Sequence, residues 1–206
     1  MQPLLLAAGN ANKTREFREL LGKDFDVYDL SFFDEMAIPK ESGRTFEENA
    51  ILKAVAASQD RRVQDRHLLI VADDSGLEVD ALGGAPGIFS ARYAGEHASD
   101  KENIDKLLSE LARRNVPLDQ RSARFRCVIA LAHEGNLLGK FEGIVKGSIV
   151  DLPRGSRGFG YDPIFVPNGF EQTFAELPAE VKNRISHRAE AIRALAAKLA
   201  ALKPSD

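Results

Sequence analysis

The run Leu68-Leu69-Ile70-Val71-Ala72 has the length and apolarity of a buried strand, and it stops on two adjacent carboxylates, Asp73 and Asp74, followed by Ser75 and Gly76. Ionised side chains at the end of a buried element are costly unless cations, hydrogen bonds or water meet them. Ligands of open α/β sheets sit at the carboxyl ends of strands. A turn with an Asx cap accounts for one acid but not for both. A hard cation such as Mg²⁺ takes oxygen ligands, usually one or two carboxylates with substrate phosphates and water. Asp74 together with Glu41 meets that need, and spacing alone does not decide between Asp73 and Asp74. The aspartyl-phosphate pattern Asp-x-Asp-x-Thr/Val is absent, because Ser75 and Leu77 stand where its second Asp and its Thr/Val belong.

The remaining pattern alternates strands and helices early in the chain. Leu4 to Ala8 reads as a first buried strand ended by Gly9-Asn10. Asn12 is the expected cap of a helix carrying Phe17, Leu20 and Leu21, with Gly22 near its end. Val27 to Leu30 is a weak strand. Thr45-Phe46-Glu47-Glu48 fits a capping box ahead of Ile51, Leu52 and Val55, and Ser99 to Glu102 fits another ahead of Ile104, Leu107, Leu108 and Leu111. Ala123, Phe125, Cys127, Ile129 and Leu131 alternate as in a strand. Glu134-Gly135-Asn136 reads as a hairpin turn into a second strand through Phe141 and Val145. A glycine-rich loop, 155–160, precedes Ile164-Phe165-Val166. A final helix from about Ser186 carries Ile192, Leu195, Leu199 and Leu202. The class is α/β or α+β with a mixed sheet, in a single domain over 1–206.

Composition narrows the function. The 206 residues hold one cysteine, Cys127, so there is no internal disulfide and no cysteine-based metal cluster. His67, His97, His133 and His187 lie far apart without ligand spacing, so a dedicated zinc site is not expected. A net charge of −3 gives no global basic field for nucleic acid. No stretch approaches the ~18 apolar residues of a membrane span. The N-terminus has no basic region of a signal peptide, and the expected location is the cytoplasm.

Three further polar segments interrupt the apolar pattern. Ala8-Gly9-Asn10-Ala11-Asn12-Lys13 joins a strand to a helix, where backbone N–H groups and Lys13 suit an anion. It is not a Walker A loop, and an ordinary turn would look much the same. Asn49 and Lys53, four residues apart, share a helix face; the apolar positions Ile51, Leu52 and Val55 point mostly elsewhere, and a solvated face is the plain alternative. Gly158-Phe159-Gly160-Tyr161-Asp162-Pro163, with Lys182 and Ser186-His187-Arg188 downstream, offers an aromatic open to a planar base and polar groups for its edge. Taken singly, these residues read equally well as a core Phe and surface cations.

In this order the segments resemble the inosine triphosphate pyrophosphatase family, enzymes of non-standard purine nucleoside triphosphates. The matching stretches are Ala8-Gly9-Asn10 with Lys13 and Glu16, 46–50 with Lys53-Ala54, and 72–77. Gly83-Gly84-Ala85-Pro86-Gly87-Ile88 through Ser90-Ala91-Arg92-Tyr93, 158–163 and 186–188 also match. They run from Leu4 to about Leu199. The resemblance implies an elongated α/β fold, a mixed sheet flanked by helices, in two lobes with the active-site cleft between them, and usually a homodimer. It implies Mg²⁺-dependent hydrolysis of ITP, dITP or XTP to the monophosphate and pyrophosphate.

By the same resemblance the loop Ala8, Gly9, Asn10, Ala11, Asn12 and Lys13 holds the triphosphate with Lys53, and Asn49 faces substrate. Glu41 and Asp74 serve the metal, and Asp74 is the general base. Ser75 touches substrate. Phe159 stacks on the purine, with Gly160, Tyr161, Asp162, Lys182, His187 and Arg188 around it. Ala8 departs from the family's usual Thr or Ser, which removes a hydroxyl donor and leaves the backbone N–H. Three rivals fit less well. A septum-inhibitor-type pyrophosphatase of modified pyrimidine nucleotides does not need Phe159, His187 and Arg188. A nucleotide-binding regulatory module does not need Glu41 and Asp74. A plain interaction domain explains none of the polar segments.

Overall fold

Leu4, Leu5 and Leu6 are completely buried. A strand apolar on both faces belongs inside a sheet with both sides covered. That is where it lies in the computed structural model, which describes the chain except Met1, Asp34, Glu35, Ala37, Ile38, Lys40 and residues 203–206, and gives only the backbone of Gln2 and Asp24. β1 (Gln2–Leu6) pairs in parallel with β2 (Phe25–Asp29) and with β3 (Leu69–Val79). β4 (Ser122–His133), β5 (Asn136–Ile149) and β6 (Phe165–Pro167) complete a six-stranded sheet in the order β2-β1-β3-β4-β5-β6. β5 and β6 are antiparallel, so the sheet is mixed, as expected for this class. The helices are α1 (Ala11–Leu21), α2 (Phe46–Ser58), α3 (Arg61–Gln64), α4 (Asp100–Arg113), α5 (Ala179–Ile185) and α6 (His187–Leu202). Among the described residues no helix is long and apolar enough to cross a membrane.

The chain divides into two compact units. The first comprises Met1–Asp74, Cys127–Gly143 and Ala189–Asp206. Its core sets Leu4, Leu6 and Val71 of the sheet against Phe17 and Leu21 of α1 and Ile192, Leu195 and Leu199 of α6. Leu202 does not join them; at the last described turn of α6 it is 39% exposed. The second comprises Ser75–Arg126 and Ile144–Arg188. Leu77 and Val79 pack there with Ile104, Leu107 and Leu111 of α4 and with three phenylalanines. Phe125 and Phe165 meet edge to face, with centroids 4.8 Å apart. Leu108 lies at the margin of that core.

Four local expectations change. β3 does not stop before the acids: Asp73, Asp74, Ser75 and Gly76 lie within the strand, which runs on to Val79. The acids remain in regular structure because cations and an amide donor meet them, as described below. The cap of α1 is Asn10, not Asn12; its Oδ1 accepts from Asn12 N at 2.9 Å and Lys13 N at 3.3 Å. The Thr45 box is half formed, since Thr45 Oγ1 accepts from Glu48 N at 3.1 Å while Glu48 Oε2 takes the Arg44 N–H. The box at Ser99 and Glu102 forms in full. The buried side of α2 carries Phe46, Asn49, Ala50, Lys53, Ala54 and Ala57, whereas Ile51, Leu52 and Val55 are only half-buried. Small alanines let this helix approach closely, and the polar pair is held inside with them.

Of the expected turn Glu134-Gly135-Asn136, Glu134 and Gly135 form the connection between β4 and β5, both with positive φ (49° and 80°) as a type I′ turn requires, and Asn136 already opens β5.

Candidate active site

Two polar clusters contain the residues singled out by sequence, one in each unit. In the first unit α2 and β3 set Lys53 among carboxylates. Lys53 Nζ lies 2.9 Å from Glu41 Oε1, 3.7 Å from Asp74 Oδ1, and donates to the Asp73 carbonyl at 2.7 Å. Burial works against its charge, but Asp74, Asp73 and Glu41 outweigh it and hold the ammonium above the ordinary lysine range. Burial pushes the Asp74 carboxyl above the ordinary carboxylate range; Lys53, Lys13 and the Asn49 hydrogen bond pull the other way, and Glu41 adds to the rise. Asn49, with no exposed surface, donates from Nδ2 to Asp74 Oδ2 at 3.0 Å. The residues expected to face substrate from α2 therefore hold the acids in this conformation.

The Gly43 N–H donates to Asn49 Oδ1 at 2.8 Å. A Cβ on Gly43 would stand 2.7 Å from that oxygen, so the close approach demands glycine.

The strand-to-helix segment is arranged differently from the simple anion cradle. The Ala8 N–H donates to Leu6 O at 3.0 Å, so in this conformation it does not replace the missing hydroxyl donor. The amides of Asn12 and Lys13 are turned to the Asn10 cap. Gly9, Asn10 and Ala11 are exposed. Lys13 Nζ pairs with Asp73 Oδ2 at 3.0 Å. Asp73, which the sequence left undecided, is thus an organiser of the site, 1% exposed and tied to both lysines. Its adjacency to Asp74 was the signal for it. Around the Lys53 ammonium stand the Glu41 and Asp74 carboxylates and the Asp73 carbonyl, while the Asp73 carboxylate holds Lys13; a hard-oxygen set of this kind suits Mg²⁺.

In the second unit the loop before β6 folds around Asp162. Its carboxylate accepts from the Phe159 N–H at 2.9 Å and from Lys182 Nζ, and both charged side chains are buried. Gly158 has φ +74°, and a Cβ there would fall 1.9 Å from Asp162 Oδ2. Phe159 is half-buried, with Lys182 Nζ 4.9 Å and Arg188 Cζ 5.7 Å from its ring centre. Arg188, 2% exposed, donates from Nη2 to Ser75 Oγ at 2.8 Å.

Three expected members of this second cluster sit differently. His187 stacks on Phe125, with centroids 4.9 Å apart and planes 9° apart. Tyr161 lies in the core and donates to the Ser90 carbonyl at 2.9 Å; burial raises its hydroxyl pKa. The Gly160 N–H donates to Asp100 Oδ2 at 2.7 Å. Phe125, Ser90 and Asp100 are supporting residues whose roles carried no local signal, because their partners are distant in sequence.

Comparison with known proteins gives a consistent result. Residues 4–198 match the model of the Ham1 family. The chain is 45% identical over 196 residues to a dITP/XTP pyrophosphatase of Bacillus subtilis, covering 95% of this chain and 96% of that protein. It is 48% identical over 196 residues to a dITP/XTP pyrophosphatase of Geobacillus kaustophilus, covering 95% and 93%. Among solved structures, a HAM1 protein from Coxiella burnetii superposes with a TM-score of 0.85 at 41% identity, over 98% of this chain and all of that one.

Proposed function

We infer the reaction from the premise that this chain belongs to the Ham1 family: it is a nucleoside triphosphate pyrophosphatase that hydrolyses non-standard nucleoside triphosphates. We propose that its substrates are ITP, dITP and XTP, that its products are the monophosphate and pyrophosphate, and that it works with Mg²⁺. The observation that carries the reading is the buried Lys53 held between Glu41 and Asp74, with Lys13 on Asp73 beside it. Phosphoryl transfer from a polyanion needs charge neutralisation and an aligned nucleophile. This cluster places cations and a base together.

The triphosphate end is assigned to Lys13 and Lys53. Water attacks the α-phosphorus, the bond to the bridging oxygen of the β-phosphate breaks, and pyrophosphate leaves with the electron pair. Asp74 accepts the water proton; burial makes it a stronger base than a surface aspartate. Asn49 fixes the direction of its carboxylate. Mg²⁺ held by Glu41 and Asp74 would supply neutralisation of the phosphate oxygens as a Lewis acid. The base end is assigned to Phe159 for stacking and to Arg188 as a donor to the six-position oxygen of hypoxanthine or xanthine. Ser75 steadies that guanidinium. The reading extends to a homodimer, as the family resemblance implies, and to the cytoplasm, as expected from an N-terminus without a basic region of a signal peptide.

The test is product analysis. ITP with Mg²⁺ should give IMP and pyrophosphate in equal amounts, with activity lost in EDTA and restored by Mg²⁺. IDP and orthophosphate as first products would replace this reading with a phosphatase.

A further inference from the structure

His67 and His133 are separated in sequence by β3, α4 and the rest of β4, yet the fold brings them to one carboxylate. His67 precedes β3, and His133 ends β4 just before the hairpin turn that holds Glu134. His67 Nδ1 lies 3.2 Å from Glu134 Oε1, and His133 Nε2 lies 3.9 Å from the same oxygen. One donor atom from each of the three falls within 4.8 Å of both others. Metal–ligand bonds of zinc length meeting at a tetrahedral angle put donor atoms about 3.3 Å apart. The two spacings to Glu134, 3.2 and 3.9 Å, lie near that edge, and the two histidines stand within 4.8 Å of each other.

The scaffold under the cluster is firm. The Gly135 N–H donates to Ser58 Oγ at 2.9 Å, fixing the turn to the end of α2, and Ser58 is completely buried. The His67 N–H donates to Gln64 O at 2.9 Å. His67 and Glu134 both hold left-handed backbone (φ 48° and 49°), each in a turn. All three residues belong to the first unit, and none takes part in the reaction described above.

We propose that His67, His133 and Glu134 form a surface site for a divalent late transition ion such as Zn²⁺, separate from the carboxylate cluster at Asp74. Two imidazoles and one carboxylate are a borderline donor set that favours such an ion over Mg²⁺, and three protein ligands leave a coordination position open to water. The bound ion would tie the β4–β5 turn to the segment entering β3 and stabilise the fold by mass action.

The experiment uses the full chain, stripped of metal, in millimolar Mg²⁺ to occupy the oxygen cluster. It is titrated with zinc chloride by calorimetry and by histidine-ring NMR. One ion should bind per chain, with the His67 and His133 rings shifting while His97 does not. His67→Asn, chosen because asparagine tolerates the left-handed backbone, is combined with His133→Ala. This double variant should lose zinc affinity by more than the ~10–100-fold that follows loss of an outer-shell partner. Its ITP turnover and its zinc-free thermal transition should match wild type. Equal zinc uptake by wild type and double variant would place the ion elsewhere and overturn the proposal. So would absence of uptake by wild type, or loss of ITP turnover in the variant.

Discussion

Asn49 Nδ2 donates to Asp74 Oδ2 at 3.0 Å, while Asn49 Oδ1 accepts from the Gly43 N–H at 2.8 Å. One buried amide thereby links the loop following Glu41 to the proposed base. Asn49→Ala removes both bonds without touching the charges. ITP turnover is expected to fall by about 10–100-fold, the range seen when a side chain orienting a catalytic ligand is lost. Steady-state kinetics across Mg²⁺ concentrations provide the measurement. Unchanged kcat with a raised KM for ITP would return Asn49 to substrate contact alone.

Asp74→Asn keeps the shape and an acceptor for Asn49 but removes the charge. Turnover should drop at least 10²–10⁴-fold, roughly the value of general-base assistance. The thermal transition should persist, because Lys53 keeps Glu41 and the Asp73 carbonyl. Near-normal turnover in a folded variant would move the base to Asp73 or Glu41.

Arg188→Ala tests the reading of the base. Hypoxanthine and xanthine carry an acceptor at the six position, whereas adenine carries a donor. A guanidinium facing adenine leaves donors unpaired, at about 1–3 kcal/mol for each buried group. The variant should lose kcat/KM for ITP far more than for ATP, narrowing their ratio. Equal losses would make Arg188 a support for Ser75 and Phe159 only.

Gly158→Ala places a methyl where Asp162 Oδ2 stands, on backbone with φ +74°. Strain of this kind costs about 1–3 kcal/mol, or roughly 2–4 °C in Tm per kcal/mol for a chain this long. Asp162 must shift from Lys182 and from the Phe159 N–H, so KM for ITP should rise as well. Differential scanning calorimetry and initial rates read the two effects separately.

Much of this was legible in the sequence because local chemistry carried it. The leucine run of β1, the Ser99 box and the Glu134-Gly135 turn each follow from neighbours in the chain. The pairing of Lys53 with Glu41 and Asp74 was accessible as a set of residue types but not as geometry. The end of β3 is not legible, because an acid pair in a strand is costly and the answering charges come from Lys13 and Lys53, 60 and 20 residues away. The stack of His187 on Phe125 and the meeting of His67 with His133 have no spacing rule at all; only the assembled sheet creates them.

The lysine–carboxylate pairs of the first unit have a consequence for how a ligand enters. As it stands, the cluster is its own counter-ion. A bare polyanion that drew Lys13 and Lys53 away would leave Glu41, Asp73 and Asp74 facing one another, and a bare cation drawn to those acids would leave two ammoniums side by side. Each visitor alone creates the imbalance that the other relieves. If the site takes Mg²⁺ as proposed, this arrangement should make it a coincidence detector, answering a metal–triphosphate complex more readily than stray phosphate or stray metal.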